Sequence, residues 1–150
     1  RSIWVTGVQT CALPICAVAS FNSQTGPEIH QIWGDLGDSY RRMGQPTAAV
    51  DAYTRAIQIV DRDMATGNAT AGDRAYRAYY RIASGRSGAS MLDGLREDLE
   101  QLTDVTEPGA LVRTAIAWRR LGAGDKSQEA AKRASAKCPV YRNHPDLRNR

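Results

Sequence analysis

Apolar residues recur along most of the chain at steps of three and four, the spacing that places side chains on one stripe of an α-helix. Residues 27–43 are predicted to form a first helix, starting at the cap-like segment 25–28, and its stripe comprises Ile29, Ile32, Trp33, Leu36 and Tyr40. Gly44 ends this helix and Pro46 opens a second one. The second stripe comprises Ala49, Val50, Tyr53, Ala56, Ile57 and Val60. We expect the two helices to form an antiparallel hairpin with a short turn.

The remaining chain repeats this helical pattern, and no alternating strand pattern occurs in it. Asp125 is the predicted cap of the sixth helix, which should end near Cys138 and Pro139. The predicted sequence of segments is a linker at 63–70, a helix at 71–84, a loop at 85–88, a helix at about 91–102, a helix starting at 106–108 and the sixth helix. The pattern therefore predicts an all-α protein, an α-solenoid of about three antiparallel helix pairs at 27–62, 71–104 and 107–138.

Residues 32–56 resemble the tetratricopeptide repeat, in which large and small residues occupy fixed steps of a helix pair. The matching residues are Trp33, Leu36, Gly37, Tyr40, Gly44, Ala49, Tyr53 and Ala56. Asp61 departs from the family, which has a proline there. A weaker match to the same frame comprises Ala115, Trp118, Gly122, Ala134 and Pro139, and the middle pair keeps only Ala78 and Gly85 in register.

This resemblance implies a right-handed superhelix in which the matching residues pack the helices together. Trp33 and Tyr53 should then be buried, with Gly37 and Ala49 at the close approach of the first two helices. The segment 140–148, VYRNHPDLR, resembles the end of tetratricopeptide arrays that follow a bacterial Ser/Thr kinase, cyclase or winged-helix domain, although His144 replaces the first acid. That likeness implies the C-terminal sensory or docking part of a larger signalling protein.

Residues 1–15 resemble the translation of a sequencing-library adapter, with every residue of the run 5–15, VTGVQTCALPI, matching. We therefore expect the authentic product to start near Cys16, inside a longer gene, with a disordered lead-in over 16–26. Deleting residues 1–15 should leave the melting temperature unchanged. The alternative is a secretory signal peptide with Arg1 as its charged region, the apolar run 11–18 and a small-residue cleavage site.

Composition and charge argue against some classes of function but do not identify one. The chain has 150 residues, 42% of them hydrophobic and 24% charged, as in a soluble globular protein. The formal charge of +4 comes from arginines spread along the chain and not clustered in one stripe, which argues against nucleic-acid binding, although the pI of about 9.2 keeps that alternative open. Without the adapter segment, Cys16 and Cys138 form no disulfide framework, so a reducing, cytoplasmic location is expected. A periplasmic location is the alternative if an upstream part carries a membrane span.

No constellation of catalytic or metal-binding residues stands out. His30 and His144 lack a second ligand at metal spacing, apart from the lone pair of Cys138 and His144. The glycine-rich run 84–88 lacks the lysine of a phosphate loop. Asp35 and Asp38 lie one helical turn apart, but a solvated helix face explains them without acid/base chemistry. We expect a protein that is not an enzyme and holds no cofactor.

The tetratricopeptide resemblance implies that ligands lie in a groove lined by the first helix of each pair. By register, the groove residues are Gln31, Gly34, Asp38, Arg41, Arg42, Val112, Ile116, Arg119 and Arg120. Two Arg-Arg pairs at equivalent positions favour an acidic peptide as the partner. Solubilising surface arginines are the alternative. The predicted function is a protein- or peptide-binding scaffold within a signalling protein, and a stand-alone or secretion-associated adaptor is the alternative.

Overall fold

The computed structural model describes residues 29–85, 95–96, 98–102 and 104–144, and within these residues all regular structure is helical. The elements are α1 (His30–Arg42), α2 (Pro46–Ala65), α3 (Ala71–Ala83), α4 (Pro108–Arg120), α5 (Gly124–Lys137) and a 3-10 helix (Pro139–Asn143). Residues 95–96 and 98–100 are helical as well. The predicted all-α class is confirmed.

The chain forms two compact units, Arg1–Ile59 and Val60–Arg150, whose boundary falls inside α2. The adapter-like segment, the lead-in, the loop residues after Gly85 and the start of the predicted fourth helix lie outside the described residues. Among the described helices, none has both the length and the apolar character needed to cross a bilayer.

The same hydrogen-bonded turn ends α1 and α4. Gly44 and Gly122 have φ of 71° and 75°, a left-handed conformation that glycine adopts without the steric cost of a Cβ atom. The N–H of Gln45 donates to the carbonyl of Tyr40, and the N–H of Ala123 to that of Trp118, both at 2.9 Å. These bonds define a Schellman motif, which satisfies carbonyls left open at the helix end. The next helix starts directly after each motif, so α1–α2 (the first hairpin) and α4–α5 (the second hairpin) share one turn design.

Two helix starts differ from the sequence predictions, and one start carries a cap that was not predicted. α1 begins at His30 and not near residue 27, and Ile29 precedes it without a side-chain cap hydrogen bond. The predicted capping role of Asp125 is wrong, because Ala123 occupies the cap position and Asp125 lies in the first turn, where its charge suits the helix dipole. The capping box of Thr70 and Asp73 at the start of α3 is a local signal that the sequence reasoning missed.

The linker prediction was also too long at its first end. α2 continues through Asp63 to Ala65, and the chain then turns at Gly67, where the N–H of Asn68 donates to the carbonyl of Asp63 at 2.8 Å. The polar composition of this segment suggested a loop, but its backbone hydrogen bonds continue the helix by almost one turn.

Tyr53 forms the centre of the first hairpin. Its side chain is fully buried, and an ideal Cβ at Gly37 would lie 2.6 Å from the ring atom Cε1, so only a glycine lets α1 approach α2 this closely. Ala49 is buried as predicted. The prediction that Trp33 is buried is wrong. Trp33 is only half-buried and packs at the edge of the cluster formed by Leu36 and its neighbours.

The second unit is built around α4, which packs against α3 on one side and α5 on the other. Its core combines residues from α3, from the helical segment before residue 102 and from α4: Ala78, Ile82, Leu95, Leu99, Ala117 and Trp118. Ala115 and Ala134 are fully buried, and the hydroxyl of Ser127 donates to the carbonyl of Ala115 at 2.8 Å. The small residues of the repeat frame therefore lie at helix contacts in this hairpin too. The 3-10 helix packs against α5.

Candidate peptide-binding surfaces

The two arginine pairs occupy equivalent places in the two hairpins. Arg41 and Arg42 form the last turn of α1, and Arg119 and Arg120 form the last turn of α4. Cations are stabilised there by the negative end of the helix dipole. In each pair the second arginine is exposed and the first is half-buried. The side chains most accessible to a ligand are therefore those of Arg42 and Arg120.

Arg41 and Asp38 form part of a polar cluster inside the first hairpin. The hydroxyl of Tyr53 donates to Asp38 Oδ1 at 2.6 Å, and Arg41 Nη2 lies 3.8 Å from the same oxygen. Asp38 is only 3% exposed. The structure thus corrects two predictions, since Asp38 neither lines an open groove nor belongs to a solvated face; it is a buried acceptor that holds the tyrosine. Asp35, its neighbour one turn earlier, is exposed as expected.

Other predicted groove positions are also closed. Ile116 and Val112 are 4% and 2% exposed, because in α4 these positions belong to the apolar core of the second unit. Gly34 is buried and Gln31 is half-buried in α1. The tetratricopeptide register predicted that these residues face a ligand. Ile116 and Val112 instead pack into the core and are not accessible. The exposed arginines remain the accessible part of the predicted set.

A second candidate surface, which the sequence reasoning missed, is a cleft of ≈ 700 Å³ in the second unit. It lies beside α4 and α5 and is bordered on the third side by residues from 99–102 and by Val105. Its lining residues are Leu99, Glu100, Leu102, Val105, Leu111, Thr114, Trp118, Asp125, Lys126, Glu129, Ala130 and Arg133. The charged members come from α5 and Glu100, whereas α4, Leu99, Leu102 and Val105 supply mostly apolar ones. No single stretch of sequence signals this cleft, because three separate segments form it.

Lys126 contacts two other lining residues on one side of this cleft. Its Nζ lies 2.6 Å from Glu100 Oε1 and 4.5 Å from the centre of the Trp118 ring, a cation–π arrangement. The hydrogen bond and the charge of Lys126 lower the pKa of Glu100 below its usual value of 4.5. The side chains of Lys126 and Glu100 are 50% and 49% exposed, so the pair can open without disturbing the core.

A smaller polar pocket of ≈ 140 Å³ lies beside α3, next to a group of arginines and acids. Arg77 forms a hydrogen-bonded ion pair with Asp61, and Arg81 Nη1 lies 4.0 Å from Asp98. Burial, followed by the charge of Arg77, lowers the pKa of Arg81. Because an arginine side chain loses its proton only far above neutral pH, the guanidinium stays charged at neutral pH. Arg77 and Arg81 therefore each have an acidic residue close by within the second unit.

Among the described residues, no group of three His, Cys, Asp or Glu side chains is placed to hold a metal ion. His30 is 5% exposed at the first position of α1 and packs inside the unit.

Comparisons of the chain with protein-family models, with curated proteins and with solved structures find no match.

Proposed function

We propose that this protein is a non-catalytic scaffold that binds a peptide segment of a partner protein, built as a tetratricopeptide-like array. Support comes from two helical hairpins that share a Schellman turn, a buried small residue early in the second helix (Ala49 and Ser127) and an arginine pair in the last turn of the first helix. Repeated hairpins of this kind provide extended surfaces for other proteins. The solenoid arrangement of the hairpins is part of this proposal.

The observation that carries the proposal is the exposure of Arg42 and Arg120 at the same place in each hairpin. A guanidinium group binds carboxylates through paired, charge-assisted hydrogen bonds, so an acidic peptide segment is the partner that fits these side chains. Arg41 is less suitable, because it lies beside the buried Asp38 carboxylate. We therefore assign ligand contact to the exposed member of each pair.

The test is peptide binding by fluorescence anisotropy with a labelled peptide that carries four consecutive glutamates. The variant is Arg42→Ala/Arg120→Ala, and the charge-matched control is Lys132→Ala/Lys137→Ala, which removes two exposed cations of α5. Exposed ion pairs contribute about 0.2–1 kcal/mol each, so the arginine variant should bind roughly two- to thirtyfold more weakly, and added salt should weaken the wild-type complex. Equal losses in both variants, or binding that ignores salt, would refute the assignment.

A wider role follows from the resemblance of residues 140–148 to the end of arrays in signalling proteins. We place the chain as the sensory or docking part of such a protein, with a stand-alone adaptor as the alternative. The gene sequence upstream of the Cys16 codon decides between them. A kinase, cyclase or winged-helix domain in the same reading frame supports the docking role, and a secretory signal peptide supports the adaptor.

A further inference from the structure

We propose that the ≈ 700 Å³ cleft of the second unit binds a partner segment in which an apolar side chain stands next to a basic one. This site differs from the exposed arginines in position and in the charge it selects. It therefore does not depend on the acidic-peptide assignment.

The apolar part of the cleft calls for an apolar ligand group. Leu99, Val105 and Leu111 are 3%, 2% and 1% exposed and form its floor, and Ala130 contributes a small side chain that leaves room above it. The cleft volume of ≈ 700 Å³ lies within the range of roughly 300–1,000 Å³ that is typical of ligand pockets. A leucine-sized side chain inserted there would replace water on an apolar surface.

The rim selects the charge of the neighbouring ligand group. Lys126 is paired with Glu100 at 2.6 Å, whereas Arg133 Nη2 donates to the neutral carbonyl of Val105 at 2.9 Å and keeps its positive charge. Asp125 and Glu129 are exposed, and neither side chain forms a hydrogen bond or ion pair within the described part of the chain. Three carboxylates and two cations line the cleft, so its rim carries a net charge of −1.

The spacing of these two acids strengthens the preference for a cation. Asp125 and Glu129 lie four residues apart on α5, where side chains are neighbours and like charges repel. The helix dipole offsets this repulsion for Asp125, which lies in the first turn, but its effect fades beyond that turn and does not reach Glu129. A basic ligand group between the two carboxylates would relieve the repulsion as well as form new ion pairs.

Trp118 lies where it would report this binding. Lys126 covers its ring at 4.5 Å and is half-exposed. A ligand guanidinium would compete with Lys126 for the ring face and for Glu100. Binding in the cleft should therefore shift the indole N–H resonance of Trp118, which a Trp118→Phe variant identifies in the NMR spectrum.

The experiment uses the full chain and a labelled peptide of sequence Ala-Leu-Arg-Arg-Ala, blocked at both ends. Asp125→Asn/Glu129→Gln should weaken its binding roughly two- to thirtyfold, as expected for two exposed charges. The control Asp35→Asn/Asp51→Asn, which neutralises two exposed acids of the first unit, should bind like wild type. A peptide with alanine in place of leucine should bind about tenfold more weakly, because its smaller side chain buries less apolar surface in the cleft.

Three outcomes would overturn the proposal: equal losses in the rim variant and its control, equal affinity for the leucine and alanine peptides, or no shift of the Trp118 resonance at saturating peptide. Arg42→Ala/Arg120→Ala should leave binding of the basic peptide unchanged. Failure of the acidic-peptide assignment is therefore distinguishable from failure of the cleft.

Discussion

The contact between Gly37 and Tyr53 gives the sharpest test of the first hairpin. An alanine Cβ at position 37 would lie 2.6 Å and 2.7 Å from two ring atoms of Tyr53, distances at which the ring or the helix must shift. The ring has little freedom to do so, because it is fully buried and its hydroxyl is held by Asp38 at 2.6 Å. We expect Gly37→Ala to destabilise the protein.

The magnitude follows from two opposing effects. Overpacking of a core costs about 1–3 kcal/mol, whereas alanine in place of a glycine inside a helix regains about 1 kcal/mol. Because the ring is fully buried and its hydroxyl is held by Asp38, we place the net loss at about 1–2 kcal/mol in the free energy of unfolding. Gly37→Leu, with a longer side chain at the same contact, should lose more.

Urea denaturation followed by circular dichroism measures this loss. Gly124→Ala is the matched control, since a Cβ at that helical glycine meets no atom within 4 Å and should be neutral or slightly stabilising. A second comparison introduces Gly37→Ala into a Tyr53→Leu background, where the loss should shrink because the ring is gone. Unchanged or increased stability of Gly37→Ala in the wild-type background would refute the close approach of α1 and α2.

The same measurement tests three further features. Tyr53→Phe removes the donor from the buried Asp38 carboxylate and should cost about 1–3 kcal/mol, and less in an Asp38→Asn background, where the remaining acceptor is neutral. Thr70→Ala removes the capping box of α3 and should cost about 1 kcal/mol, while Thr70→Ser, which keeps the hydroxyl, should cost little; equal losses would argue against the cap. Because Lys126 lowers the pKa of Glu100 in the folded state, the ionised carboxyl stabilises the protein above its unfolded pKa, and this contribution disappears as the pH falls through the lowered value. The difference in melting temperature between wild type and Glu100→Gln should therefore be present at pH 7 and absent in strong acid.

The ends of α1 and α4 were predictable because their chemistry is local. Gly44 and Gly122 end helices where they stand in the sequence, since the left-handed turn needs glycine and little else. The start of α1 was not predictable in this way, because the helix begins at His30 and Ile29 at the cap position makes no side-chain cap hydrogen bond. A favourable local sequence alone therefore does not fix where a helix starts.

The candidate sites include features that the sequence predicted and features that it did not. The arginine pairs were found because they repeat as short strings, and their place in the last turns agrees with that register. The burial of Asp38 could not be read from its own segment, because its partner Tyr53 lies on the next helix. The cleft depends on Leu99, Leu102 and Val105 lying beside both helices of the second hairpin, and no single periodic pattern encodes that arrangement.

The hydrogen bond between Tyr53 and Asp38 also protects the protein against exchange of helices between its two similar hairpins. In the shared register, Ile116 stands where α1 has Asp38, and Ala131 stands where α2 has Tyr53. Pairing α1 with α5 would bury the Asp38 carboxylate against an alanine, and pairing α4 with α2 would set the tyrosine hydroxyl against an isoleucine. Either swap breaks this buried hydrogen bond, at a cost of about 1–3 kcal/mol. Repeat proteins are prone to such misassembly during folding, and one hydrogen bond between neighbouring helices makes the correct pairing the cheaper one.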